Sequence, residues 1–377
     1  MKLVIFGLTI SSSWGNGHAT LWRGLCRALA QRGHQIIFFE RDVSYYAWHR
    51  DLTEIPGGQL ILYPDWSAVL PLAQHHLADA DVGMVTSYCP DGIAASELVL
   101  SSPVRLRTFY DLDTPVTLDR LRTGQRIDYI GPRQLGDFDL VLSFTGGAAL
   151  TELQTRLGAK RVAPLYGSVD PLIHRPVPAI GRYQAHLSYL GTYAEDRQTT
   201  LNNLFVEPAR RLPHRRFLIG GSLYPEAFPW TQNIFFVRHV PPSEHPAFYC
   251  SSMLTLNVTR QPMAQMGYCP SGRLFEAAAC GVPILSDEWK GLDQFFEPGS
   301  EIIVARTTEE AIGALEMSRE QLSHMAEAAR QRTLEEHTAK RRASELEALL
   351  DGASAPQRET QPALDRRVHK GSSLSEA

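Results

Sequence analysis

Apolar positions along the chain come in short runs, separated by stretches where they recur every third or fourth residue. The runs stand at Leu3–Ile10, Gln35–Phe39, Leu60–Tyr63, Val82–Thr86, Val104–Phe109 and Leu140–Phe144, with "KRVAPLY" (Lys160–Tyr166) after them. Runs of this length predict buried strands. Between the first two, Leu21, Leu25, Ala28 and Leu29 fall on one helix face. That helix should stop at "RGH", where Gly33 can take the left-handed conformation of a C-terminal cap. Repeated strand–helix–strand units mean a parallel, doubly wound sheet with helices on both faces.

The pattern breaks at "DPLIHRPVPAIGRYQ", where Pro171, Pro176, Pro178 and Gly181 predict a linker. Alternation resumes at "HLSYLG" and continues through "RRFLIGG", "NIFFVRHV", "MLTLNV", "VPILSD" and "EIIVA". Helical spacing covers Asp196–Arg211, Gly272–Cys280 and Ala311–Arg332. From Gly352 onward Ser, Ala, Pro, Gln and charge predict a disordered tail. The expected plan is α/β: two Rossmann-like domains (1–172 and 185–350), a hinge (173–184) and a tail (351–377).

Composition narrows the picture. A length of 377 residues suits two cores. A formal net charge of −4 gives no electrostatic reason to expect nucleic acid or an anionic membrane as partner. The basic clusters "ARRLPHRR" and "AKRRA" fit solvated helix ends. Cys26, Cys89, Cys250, Cys269 and Cys280 form no C-x-x-C pair, which suggests reduced thiols in a cytoplasmic protein. "MKLVIFGL" is too short for a signal peptide, and no stretch approaches the ~20 apolar residues of a membrane helix.

Two segments carry candidate chemistry. In "SWGNGHAT", Gly15 and Gly17 match the start of a dinucleotide fingerprint, but Thr20 stands at its third glycine. Glu40, closing the second strand, could hold a ribose, yet the long polar loop "TISSSW" is unlike the tight turn such a site uses. Gly15, Asn16 and Gly17 read better as a thin wall at a helix N-terminus. His18 then projects into the cleft as a proton acceptor; the plainer alternative is a helix-capping histidine.

The second segment runs from Asn257 to Gly299. A helix starting near Ser271 and Gly272 offers free N–H groups and a dipole to a phosphate. Arg273 in its first turn makes sense if an anion lies there too. Glu276, set among Leu274, Phe275 and Ala277–Ala279, needs a hydrogen-bonding partner, and a ribose diol is one. The plainer alternative is a Glu276–Arg273 surface pair.

"RLFEAAACGVPILSD" resembles the donor-site segment of GT-B glycosyltransferases, especially family 4. With "SWGNGHA", "RGHQIIFFERD", "YDLDTP", "PSGRLFEAAACG" and "EHTAKRRA" in order, the chain to about Leu350 is similar to the CgeB-like, spore-maturation branch. The resemblance implies that Glu276 holds the donor ribose and that Arg197 and Arg260 meet the diphosphate. It places Val240 in the loop whose backbone reads the base. Family 4 enzymes carry a sugar-contacting glutamate eight positions before the ribose glutamate; Tyr268 stands there, which puts that contact in doubt.

Asp111 and Asp113 in "YDLDTP" resemble the D-x-D metal motif of the other large glycosyltransferase fold, a single compact domain. Here they read as cleft residues that meet the acceptor or serve as base beside His18. Asp113 could instead cap the helix near Pro115. No metal and no cofactor beyond a sugar-nucleotide substrate is expected. The implied activity is metal-independent transfer of a sugar from a nucleotide-diphosphate sugar to an acceptor in the interdomain cleft. A sugar-nucleotide epimerase and a degenerate glycan- or partner-binding protein are the rivals.

Overall fold

The structure is a computed structural model that describes residues 1–55 and 57–354. Among these, β1 (Lys2–Gly7), β2 (Gln35–Arg41), β3 (Gly58–Tyr63), β4 (Val82–Thr86), β5 (Leu106–Asp111), β6 (Leu140–Ser143) and β7 (Val162–Pro164) form one parallel sheet. Its order is β3-β2-β1-β4-β5-β6-β7. Leu3 of β1 pairs with Ile36 of β2 on one side and Val82 of β4 on the other. Alternate β1 side chains feed opposite cores, Leu3 and Ile5 one, Val4 and Phe6 the other. Those cores are closed by α1 (His18–Gln31), α3 (Trp66–Leu77), α4 (Gly92–Ser101), α5 (Thr114–Arg122) and α6 (Ala148–Leu157) together with their loops, while the short α2 (Ser44–Ala47) buries no residue.

The second sheet, also parallel, has the order β10-β9-β8-β11-β12-β13. Its strands are β8 (Ala185–Leu190), β9 (Phe217–Gly220), β10 (Ile234–Val237), β11 (Ser252–Asn257), β12 (Ile284–Ser286) and β13 (Ile303–Val304). The helices that follow α6 along the chain are α7 (Gln198–Leu201), α8 (Glu207–Arg211), α9 (His245–Cys250), α10 (Gln261–Met266), α11 (Gly272–Ala279), α12 (Thr308–Glu316), α13 (Arg319–Glu336) and α14 (Ala339–Ser354). In each sheet the strand order reverses beside the domain's first strand. Open parallel sheets hold ligands at such switch points, beyond the carboxyl ends of the strands.

Several expectations are corrected. β1 ends at Gly7 rather than Ile10, because the buried Glu40 captures the chain beyond it. The helix expected over Asp196–Arg211 passes through a π turn at Asn202–Val206, just before Pro208, whose ring nitrogen cannot donate to the preceding turn. The helix expected over Ala311–Arg332 is two, split where Ser318 and Gln321 form a capping box that starts α13.

The expected hinge lies on the second domain. Ile180 N donates to Ser251 Oγ (2.8 Å), and the Tyr183 side chain is buried in that domain's core. The chain crosses between domains earlier, where Val169 pairs with Thr338. Val169 N donates to His337 O (3.0 Å) and Ala339 N to Val169 O (2.7 Å), so outgoing and returning chains cross side by side. α14 then belongs to the first domain: Ala339, Ala343, Leu346 and Leu350 pack with Leu21, Leu25 and Leu29 of α1. Residues 351–354, placed in the tail from sequence, are the last turn of α14; residues 355–377 lie outside the described residues.

Candidate functional site

The two switch points face each other across a cavity of ≈540 Å³. The first domain contributes Gly15–His18, Tyr88 and Asp113; the second contributes the loops after β8 and β11 and the start of α11.

Glu40 makes the first wall. It accepts from Thr9 Oγ1 (2.6 Å), Ile10 N (2.8 Å), Ser11 N (3.0 Å) and Ser11 Oγ (2.5 Å). With four protein donors it has nothing left for a ribose, which removes the dinucleotide reading. Asn16 is also structural: its Oδ1 accepts from His18 N (3.1 Å) at the start of α1, and its Nδ2 donates to Thr9 O (3.1 Å). Gly15 needs its positive φ of 61°, and a Cβ there would press on the Tyr45 hydroxyl. A Cβ at Gly17 would meet nothing within 4 Å, so that glycine leaves open space.

His18 Nε2 faces Asp113 Oδ2 at 3.4 Å, and both residues line the cavity. His18 Nδ1 is enclosed without a partner, so Nε2 is the nitrogen open to chemistry. Asp113 occupies the N-cap position of α5 but makes no side-chain capping bond. Asp111 does not share the cleft. It is fully buried, and its Oδ1 accepts from Asp113 N (3.1 Å). Burial, with Asp113 nearby, pushes its carboxyl up to about 6 against the donors Thr117 and Ser87. Asp111, expected as a cleft residue, instead lies beneath Asp113 and does not border the cavity.

On the opposite wall, Ser271 caps α11 by accepting from Arg273 N. Arg273 turns back onto the sheet edge instead of pairing with Glu276. Its Nε donates to Leu190 O, its Nη1 to Asn257 Oδ1 (2.8 Å), and its guanidinium lies 5.1 Å from the Tyr189 ring centre. Gly191 permits this approach, since a Cβ there would stand 2.9 Å from Nη2. Arg197 Nη1 donates to Thr192 O (3.2 Å) while its buried Nε has no partner. Arg260 is partly neutralised by Asp196 (2.9 Å). All three guanidinium groups border the cavity.

Glu276 Oε2 accepts from the Tyr249 hydroxyl (3.2 Å), and Oε1 lies 3.4 Å from Thr20 Oγ1 of the first domain. Burial would raise its carboxyl, but His174, His245, Tyr249 and Arg273 outweigh that and hold it below the usual range. Burial drives His245 down to about 4 despite Glu276, so that ring is neutral near pH 7. Val240 is buried and borders the cavity, and its carbonyl accepts from His245 Nε2 (3.1 Å).

Tyr268 does not enter the cavity. Its ring packs against Gly147 of the first domain and Gly291 of the second, where a Cβ on either would come within 2.3 Å. Gly146 N donates to its carbonyl (3.0 Å), making it an interdomain contact at φ 50°. Sequence reasoning missed His174, His245 and Tyr249 around Glu276. It also missed Tyr88, a cavity residue at φ 62°, and Trp14, which stacks on His49 of its own domain (4.0 Å) and meets His239 of the other at a tilt (4.8 Å).

The model of a glycosyl transferase-like family matches residues 197–348. No curated protein matches the chain in sequence. Among solved structures it is similar to a sucrose-phosphate synthase from Thermosynechococcus elongatus (TM-score 0.67, 12% identity, 93% of this chain, 99% of that one). Anabaena HepE in complex with UDP-glucose gives a TM-score of 0.68 at 11% identity, over 93% of this chain and 100% of that one. An alpha-glucosyltransferase in complex with UDP gives 0.63 at 12%, over the same shares. The chain has the two-domain GT-B fold, and residues 197–348 of its second half match the glycosyl transferase-like model.

Proposed function

We propose that this protein is a glycosyltransferase that moves a sugar from a nucleotide-diphosphate sugar to an acceptor hydroxyl in the cleft. One observation carries the reading: a proton acceptor from one domain and a free carboxylate with three arginines from the other face a single cavity. Neighbours of this fold bind UDP and UDP-glucose, which supports a sugar nucleotide as donor.

Glu276 accepts from the ribose diol, with Tyr249 holding its orientation. The capped start of α11 and the guanidinium groups of Arg197, Arg260 and Arg273 stabilise the leaving diphosphate without a metal. The acceptor hydroxyl sits by His18 Nε2, and Asp113 stabilises the imidazolium that forms when His18 takes its proton. The backbone at Gly15–Gly17 is thin enough to let the acceptor in. Tyr268 supplies no sugar contact, so recognition of the sugar falls to other residues of the wall. One neighbour is bound to DNA; the charge of −4 here favours a different acceptor.

The test incubates the protein with a panel of sugar nucleotides in chelator, with and without simple glycosides as acceptors. Release of nucleoside diphosphate that rises with acceptor is expected and should vanish in His18→Ala. An isomerised sugar in the donor-only sample would make the protein an epimerase instead. Binding of donor with no turnover of any kind would make it a degenerate binding protein.

A further inference from the structure

Behind Glu276 three ligand-type side chains converge from segments far apart in sequence: His174 from the stretch linking β7 to β8, His245 from the start of α9 and Glu276 from α11. Their ligand atoms all lie within 4.8 Å of one another. His174 Nε2 is 3.9 Å from Glu276 Oε1, and His245 Nδ1 is 3.8 Å from Oε2. These separations exceed hydrogen-bond reach.

The hydrogen-bond accounting does not close without a further positive group. His245 Nε2 faces the Val240 carbonyl, which can only accept, so Nε2 carries the proton. In the neutral ring Nδ1 is then a bare lone pair, buried, without a partner, and aimed at a carboxylate oxygen. His174 is enclosed as well: its side chain is 5% exposed and neither ring nitrogen has a partner. It does not border the cavity, so a nucleotide lying there would not satisfy it.

A histidine that ligates a metal commonly donates its other N–H to a backbone carbonyl, as His245 does. Two imidazoles and one carboxylate form a zinc-type ligand set that leaves a fourth position open. Around a cation at ~2.1 Å from each atom, tetrahedral ligands stand roughly 3.4 Å apart, so three atoms within 4.8 Å of one another would draw together by up to about 1.4 Å to close the site.

We propose that His174, His245 and Glu276 bind a divalent transition-metal cation of the zinc class. Such a cation would clasp the linker to α9 and α11. It would also draw on the carboxylate that the ribose uses, so that cation and sugar nucleotide oppose each other's binding. The cation site stands independently of the glycosyltransferase reading; the opposition rests on it.

Cobalt(II) is the probe for the site, added to the full-length protein after chelator treatment. One equivalent should bind and give the visible absorption of a low-symmetry nitrogen–oxygen cobalt site, without thiolate charge-transfer bands. His174→Phe, an apolar replacement of similar bulk, should lose at least about a hundredfold in affinity while its far-ultraviolet circular dichroism stays native. Cys250→Ser, a control for the partly exposed thiol, should bind as wild type. A second arm titrates UDP, and then other nucleoside diphosphates, at free zinc fixed by a metal buffer. Zinc should weaken nucleotide binding to wild type and leave His174→Phe unaffected.

No cobalt binding, or equal binding by wild type and His174→Phe, overturns the proposal. Binding of nucleotide that is indifferent to bound zinc overturns the shared use of Glu276. Nucleotide binding in chelator without any cobalt binding would sink the cation site and leave the glycosyltransferase reading standing; the reverse pattern would do the opposite.

Discussion

The two domains repeat one plan and use their buried glutamates in opposite ways. Glu40, at the end of β2, receives four donors from residues 9–11 and is saturated. Glu276, on α11, has one good donor in Tyr249 and a marginal one in Thr20, and faces two imidazoles at non-bonding distance. A buried carboxylate is costly unless paired. The saturated one holds a loop in place; the one with spare lone pairs is kept for something that arrives. Which is which cannot be decided from residue type, only from where the donors come.

The largest expected effect lies between these walls. His18→Ala should lower turnover by at least ~10², with nucleoside-diphosphate affinity unchanged in calorimetry. His18→Gln should separate a base, lost in the variant, from a group that only orients the acceptor, which an amide could replace. Near-normal turnover in His18→Ala would move the base to Asp113.

The glutamate contrast can be broken directly. Glu40→Ala orphans two buried N–H groups and two hydroxyls, and should cost about 3 kcal/mol or more in urea unfolding. The same substitution at Glu276 should leave folding nearly intact. Equal stability losses at both positions would erase the distinction drawn between them.

Asp111 sharpens it with a smaller effect. Its carboxyl is raised to about 6 in the fold from an ordinary 3.8, so folding is penalised as pH rises through that window and the charge must be buried. Asp111→Asn should therefore gain up to ~2 kcal/mol at pH 7 and nothing at pH 3.5. His245 works the other way. Held down to about 4, it contributes stability above its ordinary 6.5 that drains away as pH falls toward 4. A gain in Asp111→Asn that does not change with pH would assign the effect to packing instead.

How far the sequence reached follows from what each feature depends on. Alternating apolar runs located both sheets, because strand burial on two faces is written locally. The break at Met317–Ser318 was missed because Ala311, Leu315 and Leu322 keep helical spacing across it, while the capping box at Ser318 is a side-chain arrangement. The helix over Ala339–Ser354 was missed; Ala339, Ala343, Leu346 and Leu350 share one face of it, and nothing local says which domain that face covers. His174 was hidden inside a proline-rich stretch read as a linker, and only the fold brings it beside Glu276. Glu276 itself was legible, since a lone carboxylate in so apolar a helix asks for a partner.

The most direct measurement is calorimetric titration of wild type and Glu276→Ala with a panel of nucleoside diphosphates in chelator. At least one diphosphate should bind wild type at a single site, and Glu276→Ala should weaken it about tenfold to a hundredfold, the worth of a charge-assisted hydrogen bond of ~1.5–3 kcal/mol. Failure of every diphosphate to bind, or equal affinity in wild type and variant, would contradict the account.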